Sequence, residues 1–215
     1  MNQNNSKLIR INKYISNSGI CSRREADKLI LKGKVYINNK KINTLGIKIS
    51  DQDVVKIDGT VISIEKKEYL LLNKPKNFIT TLNDPQNRKT VKDLIKGATK
   101  KRLFPVGRLD RNTTGLLIFT NDGDLSKKLT HPSFKIKKIY HITIDKPIES
   151  NDYKTIQNGF QLDGDEIKVD RIAILDKDKK NIGLEIHIGK NRIVRRIFEN
   201  FNYDIKKLDR VMIGP

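Results

Sequence analysis

Gly107-Arg108-Leu109-Asp110-Arg111 runs on to Gly115-Leu116-Leu117-Ile118-Phe119, with Phe104-Pro105-Val106 just ahead of it. The apolar run 116–119 ends at the turn-forming Asn121-Asp122-Gly123-Asp124 and reads as a buried strand. At the edge of that strand one carboxylate, Asp110, stands between Arg108 and Arg111. Nearby positive charge favours the ionised form of a carboxylate. An ionised carboxylate held at a strand edge can act as nucleophile or base. Taken alone, the pattern also describes a surface turn with a local ion pair, so the rest of the chain has to decide.

Working outward, the 215 residues suffice for one large domain, or a small and a medium one. No apolar run approaches the roughly 18 residues that a membrane span needs. The polar, asparagine-rich start, residues 1–7, lacks an apolar signal core; a disordered start and a cytoplasmic protein are expected. Cys21 is the only cysteine, which excludes an intramolecular disulfide. His131, His141 and His187 are scattered, and no Cys/His set has zinc spacing. The phosphate-cradling pattern Gly-x-x-x-x-Gly-Lys-Ser/Thr is missing. Chemistry by side chains alone is expected, without metal or cofactor.

The net charge of +19 points to a polyanionic partner, with nucleic acid the first candidate. Lysines outnumber arginines 32 to 12, a bias that an A/T-rich genome also produces, so the arginines are the better witnesses. Eight of the twelve fall into three groups: Arg23 and Arg24; Arg108 and Arg111; and Arg192, Arg195, Arg196 and Arg210.

In the front segment, Ile11, Tyr14 and Ile15 recur at helical spacing, and Gly19 ends that helix. Ser22-Arg23-Arg24-Glu25 is a capping box that opens a second helix, with Ala26, Leu29 and Ile30 on one side and Gly33 as its stop. Residues 34–42 read as two strands turning on Asn38-Asn39, and 54–64 as a hairpin on Asp58-Gly59. Residues 8–48 carry ten Lys/Arg against two Asp/Glu, a net of +8. That density suits the backbone of folded RNA. Ile11-Asn12-Lys13-Tyr14-Ile15, Gly19 to Ala26 and Gly33 to Asn38 resemble the small RNA-binding domain named after ribosomal protein S4. The resemblance covers about 8–64 and implies phosphate contacts from Lys13, Ser22, Arg23, Arg24 and Lys34.

Residues 65–68 are charged and poor in core residues and read as a linker to a second domain, 69–215. There, strands are expected at 69–72, 138–144, 169–175, 182–188 and 205–213. Helices are expected after Thr90, after Asp124, from a Ser150 cap to Gly159, and around Val194, Ile197 and Phe198. This mixture lacks strict alternation and predicts an α+β fold with a mainly antiparallel mixed sheet flanked by helices.

Asn73-Lys74-Pro75, the block 107–117, Lys138-Ile139-Tyr140 and Gly189-Lys190-Asn191-Arg192-Ile193-Val194-Arg195-Arg196 together resemble the bacterial ribosomal RNA pseudouridine synthases that carry an N-terminal S4-type domain. They stand in the right order over nearly the whole chain. The segment 80–91 resembles the branch acting on large-subunit ribosomal RNA, synthase B. The resemblance implies isomerisation of uridine to pseudouridine within RNA: the base leaves ribose at nitrogen 1, turns, and rejoins at carbon 5. It implies that Asp110 attacks the ribose or the base, or takes a proton. It makes Arg195 the basic partner of that aspartate, a contact that would lower its pKa and fix it bidentately. Tyr140 becomes the active-site tyrosine, stacking on an extruded uracil or assisting proton transfer.

Arg108 and Arg111 are expected to serve the RNA backbone or the gap left by the flipped base, and Arg192 and Arg196 to bind RNA. Lys190 stands where relatives carry arginine; it keeps the charge but loses the fork. Ribosomal RNA is the expected partner of a monomer. Two rivals carry weight: a non-catalytic RNA-binding assembly factor, and a synthase of the same family acting on small-subunit RNA. The assembly factor gives no reason for Asp110, Tyr140 and Arg195 to occur together.

Overall fold

The computed structural model describes residues 8–214; the start 1–7, read as disordered, lies outside them. The chain forms two compact units, one reaching to Glu68 and including Lys100–Arg102, the other formed by Tyr69–Thr99 and the residues from Leu103 onward. Residues 65–68 fall with the first unit, where the Glu65 N–H donates to Asn17 O at 2.9 Å.

The first unit comprises β1 (Ile9–Arg10), α1 (Ile11–Asn17), α2 (Arg23–Leu31), β2 (Val35–Ile37), β3 (Lys40–Ile42), β4 (Lys48–Ile49), β5 (Val55–Ile57) and β6 (Thr60–Val61). Helix α2 starts where it does because Ser22 Oγ accepts from the Glu25 N–H at 3.2 Å, while Glu25 takes the Ser22 N–H at 2.7 Å. That capping box satisfies two otherwise unpaired donors, and the same bonds hold the Glu25 carboxyl below its usual pKa. Left-handed Asn38 and Asn39 turn β2 into β3, and Asp58-Gly59 turns β5 into β6, as the strand twist demands. Ile11, Ile15, Ala26, Ile30, Val35 and Val55 fill the core between the helices and the sheet β3-β2-β5-β6.

The second unit runs β7 (Tyr69–Lys74), α3 (Val91–Leu94), β8 (Phe104–Pro105), β9 (Thr114–Thr120), α4 (Gly123–Thr130), a 3-10 turn (Pro132–Phe134), β10 (Lys138–Ile144), α5 (Ser150–Asn158), β11 (Phe160–Leu162), β12 (Asp165–Ile167), β13 (Arg171–Ile174), β14 (Asn181–Ile186), α6 (Ile193–Asn200) and β15 (Ile205–Ile213). Its main sheet has the order β13-β14-β10-β15-β9-β7, with β8 added beside β9. Pairing is antiparallel except at the β15–β9 seam. Helix α6 buries Ile193, Val194, Ile197 and Phe198. Full burial of such side chains stabilises by roughly 1.5–3 kcal/mol each, enough to dock a two-turn helix that would not form alone. These residues join Ile142, Leu184 and Leu208 in one core. A second core gathers Leu117 and Phe119 with Val91, Leu103 and Leu109. Tyr140 packs against both.

Besides the short strands β1, β4 and β8, two features differ from the sequence reading. Ser150 is the first residue of α5 rather than its cap; Glu149 precedes the helix without a side-chain cap bond. The hairpin β11–β12 was not anticipated, because strands of three residues carry too little alternation for periodicity to register. Its one sequence signal is Asp163-Gly164, a tight-turn pair.

The β15–β9 seam rests on a glycine. Gly115 has φ +103° and lies so close to β15 that a Cβ there would sit 2.3 Å from Arg210 O and 2.6 Å from Arg210 N. Gly115→Ala is therefore expected to part the two strands and destabilise the protein by at least about 2 kcal/mol, combining backbone strain and overpacking. Chemical denaturation measures this; a midpoint equal to wild type would show that the seam tolerates a side chain.

Candidate active site

The loop between Leu109 and Thr113 has a partner for every carbonyl. Lys74, the last residue of β7, is fully buried. Its ammonium donates to Thr113 O at 2.8 Å, Asp110 O at 3.0 Å, Pro75 O at 3.1 Å and Arg111 O at 3.3 Å. The Thr80 hydroxyl donates to Leu109 O at 2.6 Å and accepts the Leu109 N–H at 3.2 Å. The Asn77 N–H reaches Arg111 O at 2.8 Å, and the Thr113 N–H closes a turn onto Asp110 O at 3.1 Å. Arg195 Nη2 donates to Asn112 O at 3.4 Å. Asp110 thus rides on a backbone fixed by the stretch 74–80, by Arg195 of α6 and by a turn of its own, while its carboxylate stays accessible, with the side chain 38% exposed.

That carboxylate opens into a cleft of about 450 Å³ lined by the loop, by Lys138 and Tyr140 of β10, by Arg210 of β15, and by the segment 188–195. Of the residues singled out from sequence, Asp110, Tyr140, Arg195, Arg108 and Arg192 come together here. Arg111 is exposed and does not line the cleft. Nor does Arg196, whose guanidinium pairs with Asp163 on the turn of the β11–β12 hairpin. Lys190 lines the cleft and pairs with Asp165 on the same hairpin.

The expected bidentate pair between Asp110 and Arg195 is replaced by a different arrangement. Among the described residues, the ion pair of Asp110 is with Arg192, at 3.9 Å. Arg192 precedes α6 in the left-handed conformation, φ 46°. Arg195, one turn into the helix, meets the loop through the Asn112 carbonyl. Burial, then the charge of Arg192, lowers the Arg195 pKa, with Asp110 and Glu199 opposing.

In the first unit Arg23, Arg24 and Lys34 are exposed, whereas Lys13 is half-buried. Lys34 pairs with Asp58 at 3.1 Å, and the Arg23 guanidinium donates to Asn12 Oδ1 at 3.3 Å. The Ser22 hydroxyl already caps α2.

Three features escape the sequence reading, two of them, Arg210 and Thr113, lining the cleft. The Arg210 side chain is 3% exposed, and its Nε and Nη2 both donate to Leu116 O, at 2.9 and 2.7 Å. Thr113 Oγ1 is buried with no hydrogen-bond partner among the described residues. Lys74, which the sequence shows only as the middle of Asn73-Lys74-Pro75, holds the Asp110 loop from beneath. Among the described residues no cluster of His, Cys, Asp or Glu could hold a metal ion, and no helix is long and apolar enough to cross a membrane.

With the geometry in view, comparisons with known proteins agree on one family. Residues 68–200 match the model for RNA pseudouridylate synthase, and residues 9–55 match the S4 domain. The chain belongs to the RNA pseudouridylate synthase family. It is 41% identical to an uncharacterized RNA pseudouridine synthase of Aquifex aeolicus (strain VF5), over 96% of this chain and 84% of the relative. It is 37% identical to ribosomal large subunit pseudouridine synthase B of Bacillus subtilis (strain 168), over 94% and 84%. Against the dual-specificity RNA pseudouridine synthase RluF of Escherichia coli (strain K12), identity is 38%, over 95% and 70%. A crystal structure of a pseudouridylate synthase superposes with TM-score 0.65 at 28% identity, covering 96% of this chain and 89% of that one. The S4 domain and the synthase fold, with its mixed sheet, are those that the sequence reading expected.

For a synthase of this family the buried Lys74 makes a pH prediction. Burial pushes its pKa down to about 8, and the charge of Asp110 opposes that shift. Above about pH 8 the ammonium loses a proton, leaving two N–H groups for four carbonyls, and the loop loosens. Because folding lowers this pKa, the unfolded chain holds the extra proton between about pH 8 and the ordinary lysine value of 10.5. The group's contribution to stability therefore rises with pH across that window. Turnover is expected to fall with an apparent pKa near 8 while the melting temperature does not fall with it. Lys74→Met is expected to lose most activity, since orphaned buried carbonyls cost roughly 1–3 kcal/mol each. A pH–rate profile flat to pH 9.5 would remove Lys74 from the working site.

Proposed function

We propose that this protein isomerises a specific uridine to pseudouridine in large-subunit ribosomal RNA, with Asp110 as the nucleophile acting on a flipped-out base. The observation that carries the reading is the convergence of Asp110, Tyr140 and Arg195 on one cleft from three separate stretches of chain, with the Asp110 loop anchored at every carbonyl. An exposed carboxylate on a rigid loop suits nucleophilic attack, because the reacting atom is placed in advance. Tyr140 is half-buried at the junction of two cores, so its ring is held for stacking against an extruded uracil, worth roughly 1–3 kcal/mol.

A base must leave its stack to reach Asp110, at a cost of a few kcal/mol that is least in loops and bulges; an irregular ribosomal RNA site is the expected target. The exposed Arg23, Arg24 and Lys34 of the S4 domain suit phosphate contacts that set affinity and register. The large-subunit assignment is supported by the Bacillus subtilis relative and by the segment 80–91. The cleft is built within a single chain, and the proposed chemistry draws on its side chains without a cofactor.

The test is release of tritium from carbon 5 of labelled uridine in ribosomal RNA. Wild type is expected to release it, and Asp110→Asn to lose more than about a thousandfold in rate with RNA affinity preserved. Undiminished release by Asp110→Asn would exclude the aspartate mechanism. Pseudouridine mapping in cells with and without the protein decides between the subunits.

A further inference from the structure

The cleft holds positive charge of two kinds. On one side Arg192 faces two carboxylates, Glu199 at 3.2 Å and Asp110 at 3.9 Å. On the other, Arg210 and Lys138 sit beside Tyr140 on adjacent strands, where Tyr140 pairs with Arg210 and Lys138 with Ile213 across a bulge. Among the described residues no carboxylate lies within ion-pair distance of either cation, although Lys138 still feels the more distant charge of Asp170. Arg210 is almost wholly buried, and its two bonds to Leu116 O use two of five N–H groups; the neighbouring Tyr140 side chain opposes the lowering of its pKa by burial. Lys138 Nζ donates to Ile136 O at 2.9 Å. The two cations are close enough that Arg210 lowers the Lys138 pKa, after burial itself, and burial lowers that of Arg210. Thr113 Oγ1, also buried on this cleft, has no partner among the described residues. Burying a cation without a counter-charge costs several kcal/mol, and placing a second beside it costs more. A cleft that keeps both is built for negative charge that enters with the substrate.

We propose that Arg210 and Lys138 are catalytic residues that stabilise the negative charge on the uracil as it leaves the ribose. The inference rests on the function proposed above. The N1–C1′ bond breaks as the Asp110 carboxylate bonds to C1′. The bonding pair departs with the base, whose charge spreads over N1 and the two carbonyl oxygens. After rotation C5 bonds to C1′ as the carboxylate departs, the C5 proton goes to water and N1 takes one up, so atoms and charge balance. Donors aimed at charge that develops only in the transition state accelerate the step without tightening ground-state binding.

The experiment compares single-turnover rates on saturating RNA carrying either uridine or 5-fluorouridine at the target, read by nucleoside digestion and mass spectrometry. Fluorine at C5 stabilises the departing anion on its own. Lys138→Met and Arg210→Lys are expected to slow uridine conversion by on the order of a hundredfold, with RNA affinity and melting temperature near wild type. The defect is expected to shrink by about tenfold or more on the fluorinated RNA. Lys138→Met carries the test alone if Arg210 variants fail to fold. Equal defects on both substrates would mean a purely structural role and overturn the inference, as would wild-type rates on uridine. Wild type without turnover on any ribosomal RNA would instead overturn the proposed function.

Discussion

The buried Lys74 ammonium is the contact on which the site depends. A lysine rarely sits without exposure in a core, because the charge loses its hydration. Here four carbonyls replace that hydration, and three of them belong to the loop that carries Asp110. The loop could not otherwise hold its shape: it turns sharply, and its carbonyls face the protein rather than solvent. Lys74 thus converts a stretch that sequence alone leaves as a possible surface turn into a fixed mount for a carboxylate. The charge serves twice, since Asp110 also pulls the Lys74 pKa upward against burial.

A second constraint is the seam between β9 and β15. It is the sheet's parallel junction, short in register, and it joins the half of the unit carrying Asp110 to the half carrying Tyr140 and α6. Gly115 lets the strands close, and the Arg210 guanidinium then crosses the seam to Leu116 O. Tyr140, packed on both cores, is positioned by the same closure. The distance between the nucleophile's loop and the aromatic wall is therefore set by backbone contacts in the middle of the sheet.

What was legible in the sequence was local. The Ser22–Glu25 box, the Asp58-Gly59 turn, the buried strand after Asp110 and the apolar stripe of α6 each announce themselves within a few residues. The block 107–117 and its companions also carried the family. What was not legible depended on contacts distant in sequence. The acceptors of Lys74 on the Asp110 loop lie 36 to 39 residues away, and its only local signal is a lysine ending an apolar strand just before Pro75. Arg195 and Arg196 look equivalent in sequence, yet successive helical residues point about 100° apart; one reaches the cleft and the other the Asp163 turn. Arg210 was counted among the basic residues, but its inward position follows only from the register of β15.

Taken together, these contacts divide the cleft electrostatically. On the Asp110 side the carboxylate faces Arg192, which Glu199 also holds, and Arg195, which holds the loop through Asn112 O. The Tyr140 side carries cations whose stabilising partners are neutral carbonyls of Leu116 and Ile136. Carbonyl dipoles make burial of a cation tolerable but leave its long-range field uncancelled. A reaction that turns a neutral base into an anion on one side, while a carboxylate spends its charge forming a bond on the other, fits that division. Both sides are held by backbone contacts, so the field is in place before the substrate arrives, which is the condition for electrostatic stabilisation to cost no reorganisation during the step.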